Sequence, residues 1–333
     1  MNDAQTLIDL VSAIEIGTAA TAGNLALIPL LTNSQAGAPD PPRYFLYQQA
    51  QDMGLISIEE VSAAGAVGEL RVVNRADRPI LLVEGEVLLG MKQTRVLNLT
   101  ILVPAQASLE VPVSCVESGR WRAVSGEATG KGAINLTPSV RAAKTVTVAR
   151  SMRGARNFAS DQGAIWAGVD RVLDRHGAQA PSRSYADLTK GSNSRLAGVA
   201  SSVEPEPGQV GVIACVGGRV ACVDVFDSPE VLAGLWGGLV SSYHAEALMA
   251  DSTPIKPLGA RADTAARRWF RSIGGGSSNV GPEIGLGAHV TVVAPEVEAA
   301  ALVHLGRVLH LSAFPAHNAA IPTTFAPPAR RRS

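Results

Sequence analysis

Apolar and polar residues alternate along much of the first 150 residues, and that period reads as strand. From Val96 to Val103, Leu97, Leu99, Ile101 and Val103 fall on one face and Asn98 and Thr100 on the other. Period two predicts a half-buried strand there. The pattern returns over 109–117, with Leu109, Val111, Val113 and Cys115 on one face. Shorter apolar runs at Leu25–Leu30, Leu70–Asn74 and Ile80–Val83 are bounded by turn residues and add further strands. Many short strands joined by polar turns point to antiparallel sheets packed face to face.

The second half mixes periods. Ile165, Trp166, Val169, Val172 and Leu173 form one stripe of a helix that Gly177 ends. Residues 177–209 are polar and read as a long surface connection. Val210–Val216 and Arg219–Phe226 flank Gly217-Gly218, the residue pair that a tight primed turn accepts. Ser228-Pro229-Glu230 has the chemistry of a helix start, a hydroxyl cap followed by proline and an acid. The stripe Leu232, Leu235, Trp236, Leu239, Val240, Tyr243 follows it. A shorter helix over 262–272 is expected to bury Ala265, Trp269 and Phe270 and to expose Arg267, Arg268 and Arg271. Residues 274–287 read as a glycine-rich loop. His289–Val293 and Ala300–Leu311 read as strands, the second turning at Leu305-Gly306. The fold class expected is α+β: a β-rich half over about 13–150, and a mixed half over about 155–315 with two or three amphipathic helices and hairpins. A disordered basic tail is expected over 318–333. No fixed-period repeat is present.

Composition narrows the function. The chain has 333 residues, 29 basic and 29 acidic side chains, and only 4% aromatics. Zero net charge disfavours a general polyanion binder, so nucleic acid is an unlikely partner despite Arg330-Arg331-Arg332. No apolar run approaches a membrane span of about 18 residues. Three cysteines without regular spacing do not make a disulfide framework. The N-terminus lacks a signal-peptide pattern, and the expectation is a cytoplasmic protein. Oligomeric state is left open.

Motifs for common cofactors fail on detail. Gly126 to Gly132 has three residues between its glycines and no hydroxyl after Lys131, so it is not a phosphate loop. No dinucleotide fingerprint, histidine metal pair or nucleophile elbow is present, and no cofactor or metal is expected. The strip Gly274 to Asn279 suits a flexible connector better than an anion nest.

One segment concentrates charge among strands. Glu84-Gly85-Glu86 lies between apolar runs, followed by Lys92-Gln93-Thr94-Arg95, Asn98, and then Glu117-Ser118-Gly119-Arg120-Trp121. Buried charges must be paired. One reading is a structural network in which Lys92, Arg95 and Arg120 neutralise Glu84, Glu86 and Glu117. The other is a pocket whose guanidinium groups hold a phosphate or carboxylate while a carboxylate acts as acid or base. Cys115 shares an apolar face with Leu109, Val111 and Val113, which argues against a nucleophile.

The same residues carry a family resemblance. The run from Pro79 through Glu84-Gly85-Glu86, Gly90, Lys92-Gln93, Arg95, Asn98 and Pro104 to Pro112–Glu117 and Gly119-Arg120-Trp121 resembles the bacterial ARG and rhodanese-phosphatase-superfamily-associated protein domain family. So do Gly217–Arg219, Asp224–Asp227, Trp236, Ser242-Tyr243 and the closing Leu302–Ser312. The resemblance spans roughly 13–315 and implies one family unit. The family name implies association with ADP-ribosylglycohydrolases, hence an ADP-ribose-type small-molecule partner. It makes Glu84 and Glu117 the acid–base candidates. Glu86, Lys92, Gln93, Arg95, Asn98, Arg120 and Trp121 become the ligand-binding candidates. The alternative is a non-catalytic interaction protein whose charged cluster is structural.

Overall fold

The structure is a computed structural model that describes residues 3–32, 43–62, 67–119, 128–129, 135–178, 182–188, 203–250 and 258–316. The chain begins with α1 (Asp3–Ala13), β1 (Glu15–Ile16), β2 (Ala20–Ala22), β3 (Leu25–Leu31), β4 (Phe45–Leu46) and α2 (Tyr47–Asp52). A run of strands follows: β5 (Ile56–Glu60), β6 (Glu69–Asn74), β7 (Ile80–Leu82), β8 (Val87–Gly90), β9 (Arg95–Leu97), β10 (Ile101–Val103), β11 (Ser108–Cys115) and β12 (Ala128–Thr129). Then come α3 (Pro138–Gly154), α4 (Gln162–Arg175), β13 (Gln209–Val216), β14 (Arg219–Phe226), α5 (Pro229–Met249) and α6 (Ala260–Ser272). The last described strands are β15 (Ser277–Val280), β16 (Ala288–Ala294), β17 (Val297–His304) and β18 (Arg307–Pro315). The protein is α+β, as its patterning predicts.

A nine-stranded antiparallel sheet runs β1-β3-β13-β14-β18-β17-β16-β15, with β2 also paired to β3. Strand β3 belongs to the N-terminal segment yet sits beside β13, so this sheet takes strands from both ends of the chain. Because successive strand residues face opposite ways, Ala26, Ile28 and Leu30 join one core and Leu25 and Leu27 another. Helices α1 and α6 cover the first face through Leu7, Val11, Trp269 and Phe270. Helix α5 covers the second through Leu232, Trp236, Leu239 and Tyr243. A six-stranded sheet, β12-β8-β9-β11-β6-β5, and a three-stranded sheet, β10-β7-β4, share a further core. Helix α3 lies between these strands and the large sheet, touching β14, β17 and β18 as well as α4 and α5.

Local chemistry matches several expectations. Gly217 and Gly218 have φ of 57° and 76°, the positive pair of a primed hairpin turn. The Ser228 hydroxyl accepts from the Val231 amide at 3.4 Å and caps α5, with Pro229 in the first turn.

Other expectations are corrected. The strand expected over 96–103 is two strands in different sheets, broken at Asn98–Thr100. Asn98 and Thr100 are buried, not wet, because both are taken into internal hydrogen bonds. The loop expected over 274–287 contains edge strand β15. In α6, Ala266 faces the core and Ala265 faces solvent. Arg267 and Arg271 are not free: they donate to the carbonyls of Ile16 and Gly17, and of Val11 and Ile14. These bonds close the end of α1 and its following turn, which present unpaired carbonyls. Part of the 177–209 connection packs inward, since Tyr185 and Leu188 are buried. The expected tail over 318–333 lies outside the described residues, as does most of the Gly126–Gly132 segment.

The two sheet systems also meet through backbone. Leu286 bridges to Leu102 of β10, and Gly285, at φ 65°, would bring a Cβ within 2.5 Å of the Leu102 carbonyl oxygen. Only glycine fits without moving this junction. Gly285→Ala is expected to lower stability by about 1–3 kcal/mol, read as a lower urea midpoint at unchanged m value; an unchanged midpoint would show that the junction yields freely.

Candidate functional site

The centre of the molecule is a buried ion cluster. Arg141 projects from α3 between Glu84 and Asp224, and none of the three is more than 3% exposed. Its Nη1 and Nη2 donate to Asp224 Oδ2 and Oδ1 at 2.9 and 2.6 Å. Its Nε donates to Glu84 Oε1 at 2.9 Å, and Nη2 also donates to that oxygen. Lys144, one turn on along α3, donates to Glu84 Oε2 at 2.7 Å and to the Asn98 carbonyl at 2.8 Å. The Tyr243 hydroxyl donates to Asp224 Oδ2 at 2.5 Å, and His310 Nε2 lies 3.1 Å from Oδ1. Arg141, Tyr243 and His310 therefore make four contacts with the roughly four acceptor sites of Asp224.

A hydroxyl extends the chain. Thr100 Oγ1 accepts from the Glu84 amide at 3.1 Å and lies 2.7 Å from His310 Nδ1. His310 thus joins Thr100 through Nδ1 to Asp224 through Nε2. Phe226 stacks on the imidazole at 4.6 Å, which fixes the ring. Hydroxyl, imidazole and carboxylate thus stand in the order used by nucleophilic enzymes. Thr100 lines an adjoining cavity of about 30 Å³, shared with Glu84, His289 and Ser312. That volume admits a water, not a nucleotide. The Ser312 hydroxyl in this cavity is buried without a partner among the described residues.

The electrostatics follow from the pairing. Burial alone would raise the Glu84 pKa, but Arg141 and Lys144 outweigh it and hold the carboxyl down at about 2. The same contest, won by Arg141, holds Asp224 well below the carboxylate range. Burial lowers the Lys144 pKa, opposed by Glu84. The two acids, Glu84 and Asp224, are matched by the two basic side chains Arg141 and Lys144.

The Glu-Gly-Glu motif is the tip that enters this cluster. Glu84 supplies the carboxylate. Gly85, at φ 85°, leaves room for Arg141, whose side chain would lie 3.0 Å from a Cβ there. Glu86 turns back and accepts from the Val83 amide at 2.6 Å. Burial, only partly offset by that backbone donor, pushes its carboxyl up to about 7.

A second cluster lies along β9 and β11. The Gln93 Oε1 accepts from Arg95 Nη1 at 3.1 Å and from the Cys115 thiol at 2.9 Å. Gln93 Nε2 donates to the Glu117 carbonyl at 3.0 Å. The Glu117 carboxylate accepts from the Thr94 amide and hydroxyl at 2.9 and 3.0 Å. Arg95, at 0% exposed, is out of reach of any ligand that stays at the surface. Burial pushes the Cys115 thiol up to about 11 despite the Arg95 charge, the opposite of an activated nucleophile. The Lys92 amide donates to Glu60 Oε1 at 3.2 Å.

The candidate residues are therefore divided. Glu84 and Asn98 meet at Lys144; Gln93, Arg95 and Glu117 form the second group. Asn98 links them, since its Oδ1 accepts from Ser114 at 2.5 Å, next to Cys115. Arg120 and Trp121 lie outside the described residues. The pairing expected for Glu84 is corrected: its cations are Arg141 and Lys144. No helical stripe marks α3 in the sequence, because Arg141 and Lys144 sit on its buried side and interrupt the apolar positions. Asp224 and His310 were legible only as members of a family motif. Among the described residues no group of three or more His, Cys, Asp or Glu could hold a metal ion.

Residues 13–314 match the family ARPP-1, the ARG and Rhodanese-Phosphatase-superfamily-associated Protein domain, and the chain belongs to it. No curated protein and no solved structure matches the chain.

Removing Arg141 leaves two carboxylates buried without their shared cation. Arg141→Ala is expected to cost roughly 3–5 kcal/mol or to prevent folding, measured by chemical denaturation; a loss under 1 kcal/mol would show that the cluster is not coupled to folding. The lowered pKa of Glu84 also sets an acid limb. Its stabilisation is complete above the ordinary 4.5 and is lost as pH falls toward about 2. Stability is expected to fall through that window, and Glu84→Gln, less stable at neutral pH, is expected to show a shallower acid slope; parallel slopes would remove Glu84 as a source.

Proposed function

We propose that the protein binds an ADP-ribose-type nucleotide and that Glu84 and Glu117 serve its architecture rather than proton transfer. The ligand class rests on membership of a family named for its association with ADP-ribosylglycohydrolases. The observation that carries the second half is occupancy. Glu84 accepts three buried bonds from two cations, and Glu117 accepts two from Thr94. A general acid or base must reach the substrate and hold a pKa near the working pH. Glu84, ionised down to about pH 2 and 3% exposed, meets neither condition.

A second reading, a scaffold with no small-molecule ligand, draws on the same occupancy. Its cluster holds elements together, and its function lies in partner contacts.

A thermal-shift panel with ADP-ribose, NAD, AMP and inorganic phosphate separates the two. A ligand at 100 times its Kd stabilises by about 2.7 kcal/mol. Selective stabilisation by ADP-ribose, without ADP-ribosyl hydrolysis or phosphate release, is the expected result. A flat panel supports the scaffold. Glu117→Gln is expected to lower Tm while leaving nucleotide affinity unchanged; turnover abolished in a variant of unchanged Tm would overturn the architectural role.

A further inference from the structure

We infer that the groove between α6 and the β13–β14 hairpin is the anion site for the diphosphate of a nucleotide, an assignment that rests on the ligand class proposed above. The groove encloses about 460 Å³, within the roughly 300–1,000 Å³ of small-molecule sites. Arg219, just past the hairpin turn, and Arg268 of α6 both line it. Both side chains are exposed, and neither has a carboxylate partner among the described residues. Two unpaired guanidinium groups on one groove match the two charges of a diphosphate, which accepts planar, forked donors.

The rest of the lining suits the uncharged parts of the same ligand. Trp269 forms an apolar wall, and its Nε1 donates to the Glu296 carbonyl at 2.8 Å, so its ring is held in place. Most of that ring is packed into the core, so it meets the groove by its edge and gives the groove a rigid apolar floor. Ala262 and Ala265 border the groove, and their small side chains keep it open. The exposed Glu296 carboxylate lies on the same lining and has the chemistry that accepts from ribose hydroxyls. Here α6, which is anchored in the core through Phe270, presents the ligand face of a rigid element.

Charge separates this groove from its rivals. A wider one of about 670 Å³ beside the α3–α4 turn carries Glu69, Glu110 and Glu283 against one Arg156. Another, of about 420 Å³, carries Asp9 and Asp227 against Arg307. A diphosphate meets repulsion in both. The α6 groove, with two arginines and one glutamate, has the basic excess.

The test is calorimetric titration of ADP-ribose and of pyrophosphate into the full chain, the Arg219→Ala/Arg268→Ala double variant, and Ala265→Trp, which fills the groove. Each substitution is on an exposed side chain, and unchanged Tm checks that the fold is intact. Loss of about tenfold or more in ADP-ribose affinity in both variants, with a steep salt dependence in the parent, is the expected outcome. ADP-ribose binding undiminished in the double variant would overturn the groove and leave the ligand class standing. Pyrophosphate binding that the double variant loses, with no ADP-ribose binding, would support the anion site and overturn the ligand class. Binding of neither to the parent protein would overturn both.

Discussion

Everything in this fold is arranged around one guanidinium group that no water reaches. Arg141 comes from a helix, Glu84 from a turn between two short strands, and Asp224 from the middle of the large sheet. Burying any one of these charges alone would cost several kcal/mol, so the three elements must arrive together. The cluster therefore specifies how the small sheets, α3 and the large sheet meet, more than it adds net stability. Hydrophobic burial on every side supplies the stability; the ions supply the register. Tyr243 and His310 extend the same constraint to α5 and β18.

This explains why a motif dense in chemical residues need not be an active site. Glu84, Gly85 and Glu86 are three consecutive solutions to one local problem: a carboxylate for the cluster, clearance for Arg141, and an acceptor for the Val83 amide. Gln93, Arg95, Cys115 and Glu117 solve another, the satisfaction of polar groups between packed strands. The hydroxyl–imidazole–carboxylate chain of Thr100, His310 and Asp224 has the connectivity of a catalytic relay, but it adjoins a cavity only large enough for water. Arg219 and Arg268, exposed and without a carboxylate partner among the described residues, are side chains that the interior does not claim.

Much of the architecture was legible from local pattern. The β13–β14 hairpin was marked by its glycine pair and α5 by its cap and stripe, because those signals are made by neighbouring residues. Helices α1 and α3 were missed. Helix α1 is short, and α3 hides its periodicity behind buried charges. The polar positions Asn98 and Thr100 read as solvent-facing because period two gives a face without saying what lies against it.

The sequence by itself determined the fold class, the β13–β14 hairpin and the start of α5, the family, and the segment where charge enters the interior. Those properties depend on residues close together in the chain. Only the tertiary structure decided which charges pair. Arg141 lies 57 residues from Glu84 and 83 from Asp224 along the chain, and no local period encodes a contact of that span. It also decided which arginines lack a carboxylate partner among the described residues, because only the fold brings distant acidic groups to a guanidinium.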